Sequence, residues 1–263
     1  MKNILFVSGY PTGQQVADGM MRRIIAVDKI LSEYNRVYLN ISFRRNISES
    51  QYQLSEKIKI INLNYFLHRK KIMQYIQSSE IVYVHSMYNM IRILPFVQMN
   101  SSSLVLDVHG VVPEENLYLK HFLKYLIMQN CEKEAFRRAN VKIYVSESMK
   151  NYYQQKYGEY SERSIVFPIL PDTLSYRAKS IDEKAFRREL SLNEDDIVFI
   201  YSGGITKWQN IDLMLESFSK FSNPGYKLII LTKDIEEFRE KVNARNLQDR
   251  TIITFSPTDE IYK

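Results

Sequence analysis

The chain has 263 residues, 45% hydrophobic and 25% charged, so it can bury a core and is not a disordered tail. Lys plus Arg is 36 against 30 for Asp plus Glu, and this net +6 suits an anionic ligand or an acidic membrane surface without by itself indicating nucleic-acid binding. The single cysteine, Cys131, excludes an internal disulfide, and no apolar run reaches the ~18 residues that mark a transmembrane helix.

In chain order, the first apolar run is Ile4-Leu5-Phe6-Val7. It is too short for a signal-peptide core and reads as the first buried strand, at 3–8, of a cytosolic α/β protein. Further strands are predicted at 36–41, 58–61, 81–85, 104–108, 142–145, 197–202, 227–231 and 251–255. Several are apolar through their centres, as expected when both faces are covered. Helical patterns fall between them at 20–33, 66–78, 114–139, 147–156, 211–221 and 235–244. Strand–helix–strand repetition predicts parallel sheets with helices on both faces.

The best boundary lies within 166–193, where Pro168 and Pro171 each force the preceding residue out of helix. A polar stretch with a short helix around 183–190 follows, and the βα rhythm restarts at Ile197. The fold class is therefore α/β, two Rossmann-like doubly wound domains at 1–168 and 169–263. The C-terminal one is expected to be incomplete: it has three strands and two full helices, then the start of a third helix at 256–260. A parallel sheet of that extent exposes a strand edge and an apolar face.

Ligands of such sheets bind at the carboxyl ends of the strands. The loop after the first strand holds Gly9, Gly13 and Gly19, an arrangement that fits a flexible loop as well as a phosphate loop. In Tyr201-Ser202-Gly203-Gly204-Ile205-Thr206-Lys207-Trp208-Gln209-Asn210, bare backbone, a cation and a following helix suit a diphosphate. The same glycines would also serve tight packing of a βα turn. In Leu106-Asp107-Val108-His109-Gly110, His109 ends a strand and Asp107 lies on the same side of it. That histidine is either a hydrogen-bond donor to substrate or a structural group satisfied by backbone. His85 also ends a strand, which makes a lined cleft more plausible, and Asp107 with His109 alone is too few for a metal site. Ser146 reads as a helix cap, with Glu147 in the first turn as a minor contact candidate. Aromatics beside lysines at 117–125, with Arg22-Arg23, Arg44-Arg45 and Arg69-Lys70-Lys71, suit either a membrane-facing surface or an ordinary solvated one.

Three segments, Asp107 to Glu115, Val145-Ser146-Glu147-Ser148-Met149 and Tyr201 to Asn210, carry a resemblance over the whole chain. The chain resembles the retaining two-Rossmann-domain (GT-B) glycosyltransferases of the group 1 or family 4 type, especially those of bacterial capsule and surface polysaccharide synthesis. The resemblance implies transfer of a sugar from a nucleotide-sugar donor to an acceptor hydroxyl, with a glycan or lipid-linked acceptor and no bound metal or cofactor. It implies that Gly203, Gly204, Lys207 and Gln209 serve the diphosphate and that Gly13 to Gly19 close over it. His109 would touch the transferred sugar or the acceptor, with His85 and Glu147 on the acceptor side. Two departures stand out: Gly204 replaces a family arginine and Gln209 a family lysine. The family's paired glutamates and last crossing helix would fall beyond Lys263, which implies slow turnover or none by this chain alone. The location implied is cytoplasmic, at the inner face of the plasma membrane, with peripheral contact through the N-terminal domain. A non-catalytic or split-subunit protein needing a partner chain for the missing part is the alternative. A nucleic-acid binder has only the charge in its favour.

Overall fold

Ile4, Leu5, Phe6 and Val7 are all buried, so β1 (Asn3–Val7) is covered on both faces. This computed structural model describes residues 3–12, 19–44, 49–97, 103–158, 163–168 and 183–255. Two compact units emerge, Met1–Ile169 and Leu170–Lys263.

In the first unit β1 is followed by α1 (Gly19–Ile30), β2 (Asn35–Ser42), β3 (Ser50–Ser55) and β4 (Ile58–Asn64). Then come α2 (Arg69–Gln77), β5 (Ile81–His85), α3 (Met87–Ile93), β6 (Ser103–Val108) and α4 (Val112–Tyr118). The unit ends with α5 (Phe122–Arg138), β7 (Val141–Tyr144), α6 (Glu147–Tyr157) and β8 (Ser164–Val166). The strands form one sheet in the order β3-β4-β2-β1-β5-β6-β7-β8. All pairs are parallel except β3 with β4.

Because side chains alternate across a strand, this sheet has two cores. Leu5, Val7, Leu39, Val84 and Leu106 pack on one face with Ile72 of α2, Met90 of α3 and Phe136 of α5. Ile4, Phe6, Tyr38 and Tyr83 pack on the other with Ile24 and Val27 of α1. Each fully buried aliphatic side chain contributes roughly 1.5–3 kcal/mol. Among the described residues no helix is long and apolar enough to cross a membrane.

Three features differ from the sequence expectation. The helix expected over 114–139 is two helices, broken where Lys120 takes φ 62°. Helix α3 was not anticipated, being a short apolar segment directly after a strand. Nor were β3 and β8, which are short and lack a buried core of their own.

The second unit holds α7 (Glu183–Glu189), β9 (Ile197–Ser202), a 3-10 turn at Lys207–Gln209 and α8 (Ile211–Ser219). It continues with β10 (Tyr226–Leu231), α9 (Ile235–Asn243) and β11 (Thr251–Thr254). The sheet order is β11-β10-β9, all parallel. Ile211, Leu215, Phe218, Leu228, Ile230 and Phe238 form its core. On the edge strand β9, Ile200 is 65% exposed. The helix start expected at 256–260 lies outside the described residues.

Candidate functional site

In the first unit the chain runs outward from β1 through β2 to β4, then returns to place β5 on the other side of β1. That reversal is a topological switch point, and its carboxyl edge is where open α/β sheets bind ligands. Ser8 follows β1 there, His85 ends β5, and His109 follows β6.

Strands β5 and β6 are paired with His85 opposite Asp107. Tyr83, His85, Asp107 and His109 therefore share the face covered by α1. From α1, Arg23 reaches the Asp107 carboxylate through Nε at 2.9 and 2.8 Å and through Nη2 at 2.7 Å. Both side chains are fully buried. The Tyr83 hydroxyl also donates to Asp107, and Arg23 Nη1 donates to the Phe167 carbonyl. His109 Nε2 lies 3.3 Å and His85 Nδ1 3.8 Å from Asp107 Oδ2. The two imidazoles meet at 4.0 Å, nearly edge to face.

Burial alone would raise the Asp107 pKa, but the contacts from His109, His85 and Arg23 outweigh it and hold the carboxyl far below its usual range. Burial lowers the pKa of His85, against the opposing pull of Asp107, so His85 is neutral near pH 7. Burial and the neighbouring carboxylate push the Tyr83 phenol up. Ser8 Oγ and His85 Nε2 are buried with no hydrogen-bond partner among the described residues, while His85 Nδ1 and His109 Nε2 face Asp107 Oδ2. Buried polar atoms without partners cost stability, and a cluster of them at a switch point fits a ligand with hydroxyl groups. His85, Asp107 and His109 also present ligand atoms within 4.8 Å of one another. Asp107 Oδ2 already accepts from Arg23 Nε and Tyr83.

A further buried network backs the His109 loop. Glu132 of α5 lies within 2.8 Å of Lys156 and 2.7 Å of the Tyr157 hydroxyl. The Tyr153 hydroxyl lies 2.9 Å from both Glu132 and the Gly110 carbonyl, so α6 grips the residue next to His109. Burial raises the Glu132 pKa, with Lys156 opposing.

In the second unit, Gly203, Gly204, Lys207 and Gln209 lie in one turn between β9 and α8. A Cβ on Gly203 would meet the side-chain tips Tyr201 Oη at 2.9 Å and Gln209 Nε2 at 3.0 Å, so either would have to shift to admit it. The Gly203 N–H donates to the Leu231 carbonyl at 3.0 Å. Ile205 N–H donates to Asp234 Oδ2, and Thr206 N–H to Gln209 Oε1, each at 3.0 Å. The Gln209 side chain thus closes a capping box with Thr206. Among the described residues the Gly204 N–H has no acceptor. Lys207 and Trp208 are exposed.

The structure brings His85 and His109 together around Asp107 and leaves Glu147 elsewhere, facing Lys150 at 3.8 Å. Ser146 caps α6, its Oγ accepting from Met149 N–H at 3.2 Å. Gly19 opens α1, and Gly13 lies outside the described residues. Sequence reasoning missed Arg23, which it placed in a surface basic pair with Arg22. Its phase with Ile24 and Val27, all three buried, was the available signal. Tyr83, Ser8 and Asp234 carried no signal beyond lying in or near strand ends.

No protein-family model and no curated protein matches the sequence. Solved structures do match. Anabaena HepE, in complex with UDP and glucose, is 13% identical over 98% of this chain and 70% of its own, with a TM-score of 0.67. Sucrose-phosphate synthase of Thermosynechococcus elongatus is 12% identical over 98% and 71%, TM-score 0.64. S. aureus MnaA, solved with UDP, is 10% identical over 100% and 70%, TM-score 0.56. The fold shared with them is α/β, of the two-Rossmann-domain GT-B class.

Proposed function

We propose that this protein moves a sugar from a nucleotide-sugar donor to an acceptor hydroxyl, with retention, in the synthesis of a bacterial capsule or other surface polysaccharide. The observation that carries this reading is the buried His85–Asp107–His109 group at the switch point, on a GT-B fold. That similar structures hold UDP and UDP-glucose supports the donor class. The acceptor is a glycan or a lipid-linked precursor.

In this reaction the acceptor oxygen bonds to the anomeric carbon, the bond from that carbon to the diphosphate oxygen breaks, and the acceptor proton passes to the departing phosphate. Negative charge grows on the leaving diphosphate, where Lys207 and the Gly204 N–H would stabilise it. His109 would hydrogen-bond the sugar or acceptor, its ring set by Asp107 and, through that carboxylate, by Arg23. Titration of UDP by calorimetry tests the donor assignment. Lys207→Ala should weaken binding by about 1–3 kcal/mol, the worth of a charge-assisted contact. Failure of every nucleoside diphosphate to bind would end the reading.

Leu117, Tyr118, Phe122 and Leu123 are exposed beside Lys120 and Lys124, which supports peripheral contact of the first unit with an anionic membrane surface. A second reading, a binding protein of this fold that works with another polypeptide, is favoured by the exposed apolar residues Ile197 and Ile200 on the β9 edge.

A further inference from the structure

We propose that the first unit carries a binding site for an acidic saccharide, built on the aromatic residues that follow β2 and β4. The inference rests on the sugar-transfer reading, for which it names the acceptor as a sugar bearing a carboxylate or phosphate. Phe43 follows β2, and Tyr65 and Phe66 follow β4, so all three stand at the same carboxyl edge as His85. Their rings are contiguous: Phe43 to Tyr65 is 4.8 Å, Phe43 to Phe66 6.0 Å and Tyr65 to Phe66 5.1 Å. Phe96 joins at 5.9 Å from Tyr65.

Two guanidiniums lie on this platform. Arg92 of α3 is 5.6 Å from the Phe43 ring centre, and Arg69 of α2 is 5.7 and 5.5 Å from those of Tyr65 and Phe96. Phe43 remains 44% and Phe66 56% exposed, so ring surface is still free to take a ligand. Among the described residues neither arginine has a carboxylate partner, while Glu49 is paired with Lys71 at 2.5 Å. Arg92 Nη1 donates to Asn89 Oδ1 at 2.7 Å, and Arg92 Nε is buried with no acceptor among those residues.

Single arginine–aromatic contacts are ordinary packing. Here two guanidiniums without carboxylate partners and half-exposed rings coincide, and a buried N–H of a charged group lacks an acceptor. A sugar ring presents an apolar C–H face to an aromatic ring, and a planar guanidinium matches a carboxylate or phosphate through paired hydrogen bonds. A neutral sugar would answer the rings and leave both cations unanswered. Asn89 Nδ2 donates to the His85 carbonyl at 2.7 Å, so Arg92 is tied through one side chain to the switch-point histidine.

Calorimetry on the whole protein tests the site with three probes: an oligogalacturonate, its carboxyl-reduced neutral form, and glucose 1-phosphate. At least one acidic probe should bind, with the neutral form about tenfold weaker or more. Arg92→Gln and Phe43→Ala should each weaken the acidic probe about five- to tenfold, and UDP affinity should stay unchanged. Preference between carboxylate and phosphate identifies the source of the charge. Equal binding of acidic and neutral probes, no binding of either acidic probe, or indifference to both variants would overturn the site. Phe43 is half-exposed, so its variant remains informative should Arg92→Gln fail to fold. Saccharide binding without UDP binding would sink the sugar-transfer reading and leave the site standing. UDP binding without saccharide binding would do the reverse.

Discussion

Replacing Asp107 with asparagine would strip the charge from a carboxylate whose four contacts to Arg23 and Tyr83 are all buried. Arg23 would then stay in the core as an uncompensated cation, since its side chain is 0% exposed. Among the described residues it would keep the neutral Phe167 carbonyl and the Phe167 ring. Breaking a buried pair in this way costs about 3–5 kcal/mol. For a unit of this size each kcal/mol lowers Tm by about 2–4 °C, so Asp107→Asn should melt roughly 6–20 °C below the parent. Differential scanning calorimetry at pH 7 measures this, with urea unfolding as a second probe. The double change Arg23→Met with Asp107→Leu removes both charges and should recover most of the loss, because apolar replacement of a whole buried pair is near neutral. A loss below about 1 kcal/mol for Asp107→Asn, or strict additivity in the double variant, would refute the view that this pair organises the site.

Three further predictions concern charge. Lys142 is 3% exposed, its Nζ has no hydrogen-bond partner among the described residues, and burial lowers its pKa to about 8. Lys142→Met should therefore raise stability at pH 7 by about 1–3 kcal/mol. Because the folded pKa lies below the unfolded 10.5, the unfolded chain binds more protons at this site between those values, so the stability gap between variant and parent should close from pH 8 to 10.5. In acid, His85 and Asp107 both have depressed folded pKa values, so stability should fall below pH 6.5 through His85 and again below 3.8 through Asp107. Chemical denaturation across that range, with His85→Gln flattening the upper limb, checks the assignment, and an upper limb that His85→Gln left unchanged would contradict it. Asp234 accepts the Ile205 N–H inside the candidate diphosphate turn, so Asp234→Asn should tighten UDP binding about three- to tenfold by removing like charge at an exposed site. Weaker or unchanged binding by calorimetry would place the diphosphate elsewhere.

The α/β class was legible because Ile4–Val7, Val82–His85 and Leu104–Val108 are runs without alternation, which only strands covered on both faces tolerate. Strand β3 was not, since Ser50-Gln51-Tyr52-Gln53-Leu54-Ser55 is exposed throughout and owes its shape to pairing with β4. The break between α4 and α5 was hidden too, because the chain turns at Lys120 with neither glycine nor proline to mark it. His85 and His109 were visible as strand-end histidines. That both face one carboxylate depends on β5 lying beside β6, a consequence of the crossover past β1 that local pattern cannot encode. Arg23 was misplaced because a charge in a basic pair reads as surface. Only its partner 84 residues away makes burial tolerable.

The turn after β9 shows why glycines there supported two readings in the sequence. Gly203 packs closely under the tips of Tyr201 and Gln209, and its N–H is committed to Leu231. The amides of Ile205 and Thr206 are held by oxygens of Asp234 and Gln209, in the positions that ligand oxygens would occupy on the reading proposed. At these two amides donor binding then becomes an exchange of one acceptor for another. Such an exchange gains little from hydrogen bonding, since each N–H is satisfied before and after. The net gain in this turn then falls to the Lys207 charge and the Gly204 N–H, which has no acceptor among the described residues. The Gln209 carboxamide closes the turn on Thr206, accepting from both its N–H and its hydroxyl.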